Sequence, residues 1–105
     1  MKCKCKQITK ITLEADFGSD SIWCSVCGYN LDLEELEISE ELRQAIFIWE
    51  NQFGEWLDLE TDELEEDKQP LEEAFNLRGQ ELLMQLQKQL GHQYEFTFEP
   101  STMYE

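Results

Sequence analysis

The chain has 105 residues, with 24 Asp plus Glu against eight Lys plus Arg, and a formal net charge of -16 at pH 7. One domain is expected at that length, and six Phe, three Trp and three Tyr argue against acidic disorder, which lacks large side chains to bury. The charge excludes direct binding to nucleic acid or to an anionic membrane, because phosphate contacts need clustered Lys and Arg.

The start, MKCKCKQITK, has no apolar stretch after its charges and does not read as a signal peptide. No run approaches the ~18 apolar residues of a membrane span. A cytoplasmic protein is expected, where thiols stay reduced and grouped cysteines read as metal ligands before disulfides. The four cysteines form two groups, Cys3-x-Cys5 and Cys24-x-x-Cys27, the second followed by Gly28. In a CxxCG knuckle the turn presents two sulfurs to one ion, and the glycine permits the backbone angles that follow. Cys3 and Cys5 would face the same ion from an extended segment, where alternate residues share a face. Lys2, Lys4 and Lys6 then point away and offset part of the -2 charge of a four-thiolate Zn²⁺ site. With all four positions filled by thiolates, the ion would be structural, with no open position for catalysis. Buried core thiols and a redox pair are the alternatives, although a thioredoxin-like βαβ context is lacking.

Ile11, Leu13, Ala15 and Phe17 alternate with Thr12, Glu14 and Asp16, which predicts a half-buried strand. A turn at Gly18-Ser19-Asp20 and a short strand at Ser21-Ile22-Trp23 complete a hairpin leading into the knuckle. Residues 29–38 read as extended or irregular, with Leu31, Leu33, Leu36 and Ile38 available for the core. Ser39 fits the N-cap of a first helix, with Glu40 and Glu41 at its positive end. Leu42, Ala45, Ile46, Trp49, Phe53, Trp56 and Leu57 make one apolar stripe at helical spacing, broadened by Phe47 and Ile48. Any of Phe47, Ile48 or Trp56 left exposed would be a docking patch. Gly54 marks a bend in this helix or its end.

Residues 58–69 hold seven acids, with only Leu59 and Leu64 as apolar anchors, and read as a mobile or partner-facing segment. Pro70 fits the first turn of a second helix and Gly91 the position after its end. The expected buried stripe is Leu71, Ala74, Phe75, Leu82, Leu86 and Leu90, with Gly79 on the same face for close approach of the other helix. Tyr94, Phe96 and Phe98 alternate with Glu95, Thr97 and Glu99 in a last strand, best paired with the hairpin strand at 8–17. The expected fold is α+β: an N-terminal zinc-ribbon-like β-hairpin (1–38) packed with two amphipathic helices and a C-terminal strand (39–105), as one compact unit.

The acid has an address. Residues 1–31 are net +1, residues 32–73 carry seventeen acids against Arg43 and Lys68 for a net of -15, and residues 74–105 are net -2. Such a block is either a solubilising surface or one that attracts a basic partner. His92 stands alone past the helix-ending glycine, and no phosphate loop, calcium-loop register or nucleophile pattern is present, so a non-enzyme is expected.

IWCSVCGYNLDLEELEIS, then WENQFGEWLDLETDEL, FNLRGQELLMQLQKQLG and FTFEPSTM, resemble a family of small cytoplasmic proteins of Gram-positive bacteria, some of which are immunity proteins of polymorphic toxins. The resemblance spans most of the chain beyond residue 20 and implies no catalytic residues; the Cys3-x-Cys5 spacing departs from its pattern. A toxin-blocking protein facing a basic, nuclease-type toxin is therefore the first expectation. Asp58, Glu60, Asp62, Glu63, Glu65, Glu66 and Asp67 would meet its Lys or Arg side chains, and Trp49, Trp56 or another exposed aromatic would supply the desolvated anchor. The alternative is a zinc-ribbon regulator or acidic nucleic-acid mimic that inhibits a DNA-handling protein. The sequence does not determine the oligomeric state.

Overall fold

The computed structural model describes residues 8–58, 61 and 63–104. The alternation starting at Ile11 forms β1 (Lys10–Leu13), paired antiparallel with β2 (Ile22–Cys24), so that Ile11 faces Cys24 and Leu13 faces Ile22. These four side chains lie on one face and are buried. On the opposite face Thr12 bridges its neighbours, with Oγ1 2.6 Å from Ser25 Oγ and 3.1 Å from Thr97 Oγ1. The strand is shorter than its alternation predicts. After one further bond, Glu14 N–H to the Ser21 carbonyl at 2.8 Å, the chain leaves the sheet. Phe17 then packs on Phe53, with ring centroids 4.6 Å apart.

Beyond β2, Leu31, Leu33, Leu36 and Ile38 all enter the core, with a short 3₁₀ turn at Leu33–Glu35. Ser39 caps α1 (Glu40–Glu50), its Oγ accepting from the Leu42 N–H at 3.2 Å. The helix buries Leu42, Ile46 and Trp49 and stops at Glu50, several residues before the stripe runs out. Gly54, at φ +87°, turns the chain so that Trp56 comes back into the core from outside the helix. A side chain at Gly54 would also collide with the Phe17 ring, 2.6 Å from its Cε1.

Within the acidic segment lies a small hairpin that periodicity does not announce. β3 (Leu57–Asp58) pairs antiparallel with β4 (Glu63–Leu64), and a 3₁₀ turn at Glu66–Lys68 follows. α2 (Gln69–Leu90) has Pro70 in its first turn and Gly91 as C-cap. Its buried stripe is Glu72, Phe75, Gly79, Leu82, Leu86 and Leu90; Leu71 and Ala74, expected inside, are exposed. Gln89 near the end of α2 binds the N-cap of α1 through Ser39 N (2.7 Å) and Oγ (3.1 Å), so the helices run antiparallel. β5 (Glu95–Phe98) then joins β1 in parallel, with Ile11 opposite Phe96 and Leu13 opposite Phe98. The sheet order is β2-β1-β5, and α2 covers it at β5. The fold is α+β, with small sheets and two helices. Among the described residues no helix is long and apolar enough to cross a membrane.

Candidate functional site

At the knuckle, Cys24 is buried in β2 and Cys27 is exposed in the turn after it. The Cys24 carbonyl accepts from Gly28 N–H at 2.8 Å, and the Cys24 N–H donates to the Tyr29 carbonyl at 2.9 Å. Gly28 sits at φ +75°, the left-handed angle expected of the residue after a second ligand. Cys3 and Cys5, the other half of the expected Zn²⁺ site, lie outside the described residues. Among the described residues no group of three or more His, Cys, Asp or Glu is placed to hold a metal ion. The described residues thus show the Cys24-x-x-Cys27-Gly28 turn alone.

Of the expected partner-facing acids, Asp58, Glu63, Glu65, Glu66 and Asp67 fall on the β3–β4 hairpin and the turn behind it. Asp58 and Glu63 stand directly opposite each other in the register, an arrangement that costs stability for like charges and is tolerable only next to solvent. Glu63, Glu66 and Asp67 are exposed, while Asp58 and Glu65 are half-buried. Glu60 and Asp62 lie outside the described residues. Lys68 Nζ lies 2.6 Å from Glu65 Oε2, and that carboxylate raises the ammonium pKa. The hairpin is held from behind by the C-terminal tail, where the Tyr104 hydroxyl donates to the Glu65 carbonyl. Burial, with Glu72, Glu65 and Asp67 nearby, pushes that hydroxyl above its ordinary pKa.

Trp49 and Trp56 were expected to offer a ring to a partner, and each is 1% exposed. Trp49 stacks on Phe75 at 4.4 Å and donates from Nε1 to the Phe75 carbonyl at 2.8 Å. Trp56 donates from Nε1 to Met103 Sδ at 3.1 Å. An indole whose face and N–H are both satisfied inside the molecule is core, so the anchor role does not fit either ring in the isolated chain. The exposed apolar residues of α1 are instead Phe47 (56%) and Ile48 (58%).

Phe47 borders a cleft of about 350 Å³ whose lining includes Asp20, Asp32, Glu34 and Glu50. Three of these carboxylates are fixed by the backbone: Asp20 Oδ2 accepts from Leu33 N–H (2.8 Å), Asp32 Oδ1 from Glu34 N–H (3.0 Å), and Glu50 Oε2 from Ser21 N–H (3.0 Å). The one cation on its wall, Arg43, reaches away to Glu40 Oε2 at 2.8 Å and the Leu36 carbonyl at 2.7 Å. Gln44 and Arg43 hold Glu40 below its ordinary pKa. Sequence reasoning missed this gathering, because Asp20, Asp32 and Glu50 come from three elements. Its only signal was that Phe47 and Ile48 widened the apolar arc of α1 beyond what one helix–sheet contact buries.

Burial raises the pKa of Glu50, with Asp20 adding to the effect and the bonds from Ser21 opposing it. The folded form thus holds the Glu50 proton more tightly than the unfolded chain. Ionising it removes stability as pH climbs from the usual carboxylate range, near 4.5, through the raised value. Glu50→Gln keeps a carbonyl to accept from Ser21 and carries no charge. It is expected to raise the urea unfolding midpoint at pH 7, with the advantage over the unsubstituted protein shrinking toward pH 4. A variant less stable at pH 7 than at pH 4, relative to the unsubstituted protein, would contradict this.

A family model described as Serratia CdiI immunity protein-like matches residues 9–101. Among curated proteins, none matches the chain. The matched region runs from just before β1 into the C-terminal tail and so includes both helices, both sheets and the acidic hairpin.

Proposed function

The chain belongs to the Serratia CdiI immunity protein-like family, and on that premise we propose that it binds and neutralises a toxin whose active surface is basic, as in a nuclease. The observation that carries the finer part is the charge: net -15 lies within residues 32–73, which run from the 3₁₀ turn before α1 to the first turn of α2. A nuclease must be electropositive where it holds phosphate, and an acidic surface of fixed shape competes for that position. The carboxylates of residues 58–67 are read as the attractive rim that draws the toxin in. Blocking by occupation requires no catalytic group on the inhibitor.

Electrostatic capture has a kinetic signature. With its cognate toxic domain as ligand, in inactivated form, the association rate is expected to fall at least ~10-fold between ~50 mM and ~500 mM salt. Dissociation should change far less. A complex whose association rate is indifferent to salt would remove the basic-partner reading and leave the immunity role standing.

The same proposal includes a structural Zn²⁺ held by Cys3, Cys5, Cys24 and Cys27, in a cytoplasm that keeps the thiols reduced. The Cys24–Gly28 turn supports it. Metal analysis is expected to find one zinc per chain, with four thiols that react with a disulfide reagent only after chelation. Four freely reactive thiols in the native protein would contradict it.

A further inference from the structure

The acidic hairpin supplies charge and little to desolvate, since Leu64 is its one exposed large apolar residue among the described ones. Exposed charge pairs at the edge of an interface contribute little affinity, and tight complexes are anchored by buried aromatic and aliphatic side chains at the centre. Two exposed apolar surfaces on the helices are candidates for that centre. One is on α2, at Leu77 and Met84, which are one heptad apart. The other is on α1, at Phe47 and Ile48. Their surroundings separate them. Along α2, Glu73 and Glu81 are matched by Arg78 and Lys88, and Arg78 pairs with Glu81 at 2.9 Å, so that face favours neither sign of partner.

The α1 face is acidic on its Phe47 side. Phe47 opens onto the cleft with Asp20, Asp32, Glu34 and Glu50, and Ile48 borders a second groove that includes Glu41 and Gln52. Arg43 is engaged by Glu40 and the Leu36 carbonyl, and Arg78, across the second groove, by Glu81. An apolar centre with four carboxylates on its Phe47 side matches a partner with apolar side chains set beside Lys or Arg.

We propose that the outer face of α1, centred on Phe47 and Ile48, is where the basic toxin docks, and that the cleft beside Phe47 receives a lysine or arginine side chain of the toxin. The aliphatic stem of such a side chain lies against Phe47 and Leu33, and its charged end reaches the carboxylates. The β3–β4 hairpin then governs approach, while the α1 face governs how long the complex lasts. This inference rests on the toxin-neutralising reading above.

The test compares three proteins against the same inactivated toxic domain: the unsubstituted chain, the double variant Phe47→Ser/Ile48→Ser, and the double variant Leu77→Ser/Met84→Ser. All four positions are more than half exposed, so both variants should keep the unfolding midpoint of the unsubstituted protein. The α1 variant is expected to bind roughly 30-fold more weakly or worse, mainly through faster dissociation, and the α2 variant to bind normally. A third variant, Glu34→Lys, sets a cation against the incoming side chain and is expected to weaken binding as well. An α1 variant that binds like the unsubstituted chain, or an α2 variant that alone loses binding, would overturn the docking face and leave the immunity role intact. An unsubstituted chain that does not bind the toxic domain would overturn the role itself.

Discussion

Replacement of Trp49 by alanine is expected to cost about 3–5 kcal/mol of stability, a large share of the 5–15 kcal/mol that holds a domain together. Trp49 sits where the two helices and the sheet meet. Its ring stacks on Phe75 at 4.4 Å and lies 6.2 Å from Phe98 of β5. The close approach exists because Gly79 of α2 has no side chain: a Cβ there would fall 2.8 Å from Trp49 Cζ2 and 2.6 Å from Phe98 Cε1. Those contacts are with the buried Trp49 ring and the half-buried Phe98 ring packed on it, so Gly79→Leu should also destabilise by overpacking. Truncating Trp49 removes the stack and the indole hydrogen bond and leaves a cavity that a helix, a sheet and a loop cannot all close. Urea unfolding midpoints test this directly. Phe47→Ala, two residues earlier and facing solvent, should stay within about 0.5 kcal/mol of the unsubstituted protein. Equal effects at the two positions would mean that Trp49 is not the centre of the core.

The second large effect is expected at a charged residue. Glu72 is 5% exposed, and its Oε2 accepts from Ser101 Oγ at 2.8 Å and from Met103 N–H at 3.0 Å. Asn76, one turn on, grips the backbone of Ser101 from both sides, at 3.0 and 2.9 Å. The tail held in this way carries Met103 to the Trp56 N–H and Tyr104 to the Glu65 carbonyl. One carboxylate thus fixes the tail, and the tail supports both Trp56 and the acidic hairpin. Bonds to a charged acceptor contribute about 1.5–3 kcal/mol each, and removing the acceptor leaves buried donors without a partner. Glu72→Ala is expected to cost about 2–3 kcal/mol and to speed hydrogen exchange at the Met103 amide. Glu72→Gln, which keeps an acceptor oxygen, should lose less than half of that. Unchanged exchange at Met103 in the alanine variant would show that the tail is held by other contacts.

Glu72 also shows where sequence reasoning stops. The spacing Phe75, Gly79, Leu82, Leu86, Leu90 was legible, and so was the need for a glycine where the helices cross. Extending that stripe toward the N-terminus by apolarity chose Leu71 and Ala74, whereas the helix continues its inward face through Glu72. A carboxylate belongs inside only because two donors arrive from residues about thirty positions away, which no local window contains. The first helix fails for a related reason. Ser39, Leu42, Ile46 and Trp49 are where their pattern puts them, and β5 finds the expected partner strand. Phe53 and Trp56 keep the spacing of the stripe, yet the helix ends at Glu50, and a turn through Gly54 returns Trp56 to the core while Phe53 packs half-buried against it. Periodicity records which side chains are buried and not which backbone delivers them. At the candidate site the charge block and the surplus apolar pair Phe47–Ile48 were visible in the sequence. The cleft between them was not, because Asp20 comes from the β1–β2 turn, Asp32 and Glu34 from the following 3₁₀ turn, and Glu50 from the end of α1. Charge alone directed attention to residues 58–67, where carboxylates are dense, and to tryptophans that packing consumes.

Neutralisation of a toxin by binding is the function proposed for this chain. Growth of cells induced for the active cognate toxic domain, with and without co-expression of the chain, tests this most directly. Growth restored by the unsubstituted chain and not by the stable Phe47→Ser/Ile48→Ser variant is the result predicted. Growth arrest that the unsubstituted chain leaves unchanged, at equal or higher expression than the toxic domain, would contradict it.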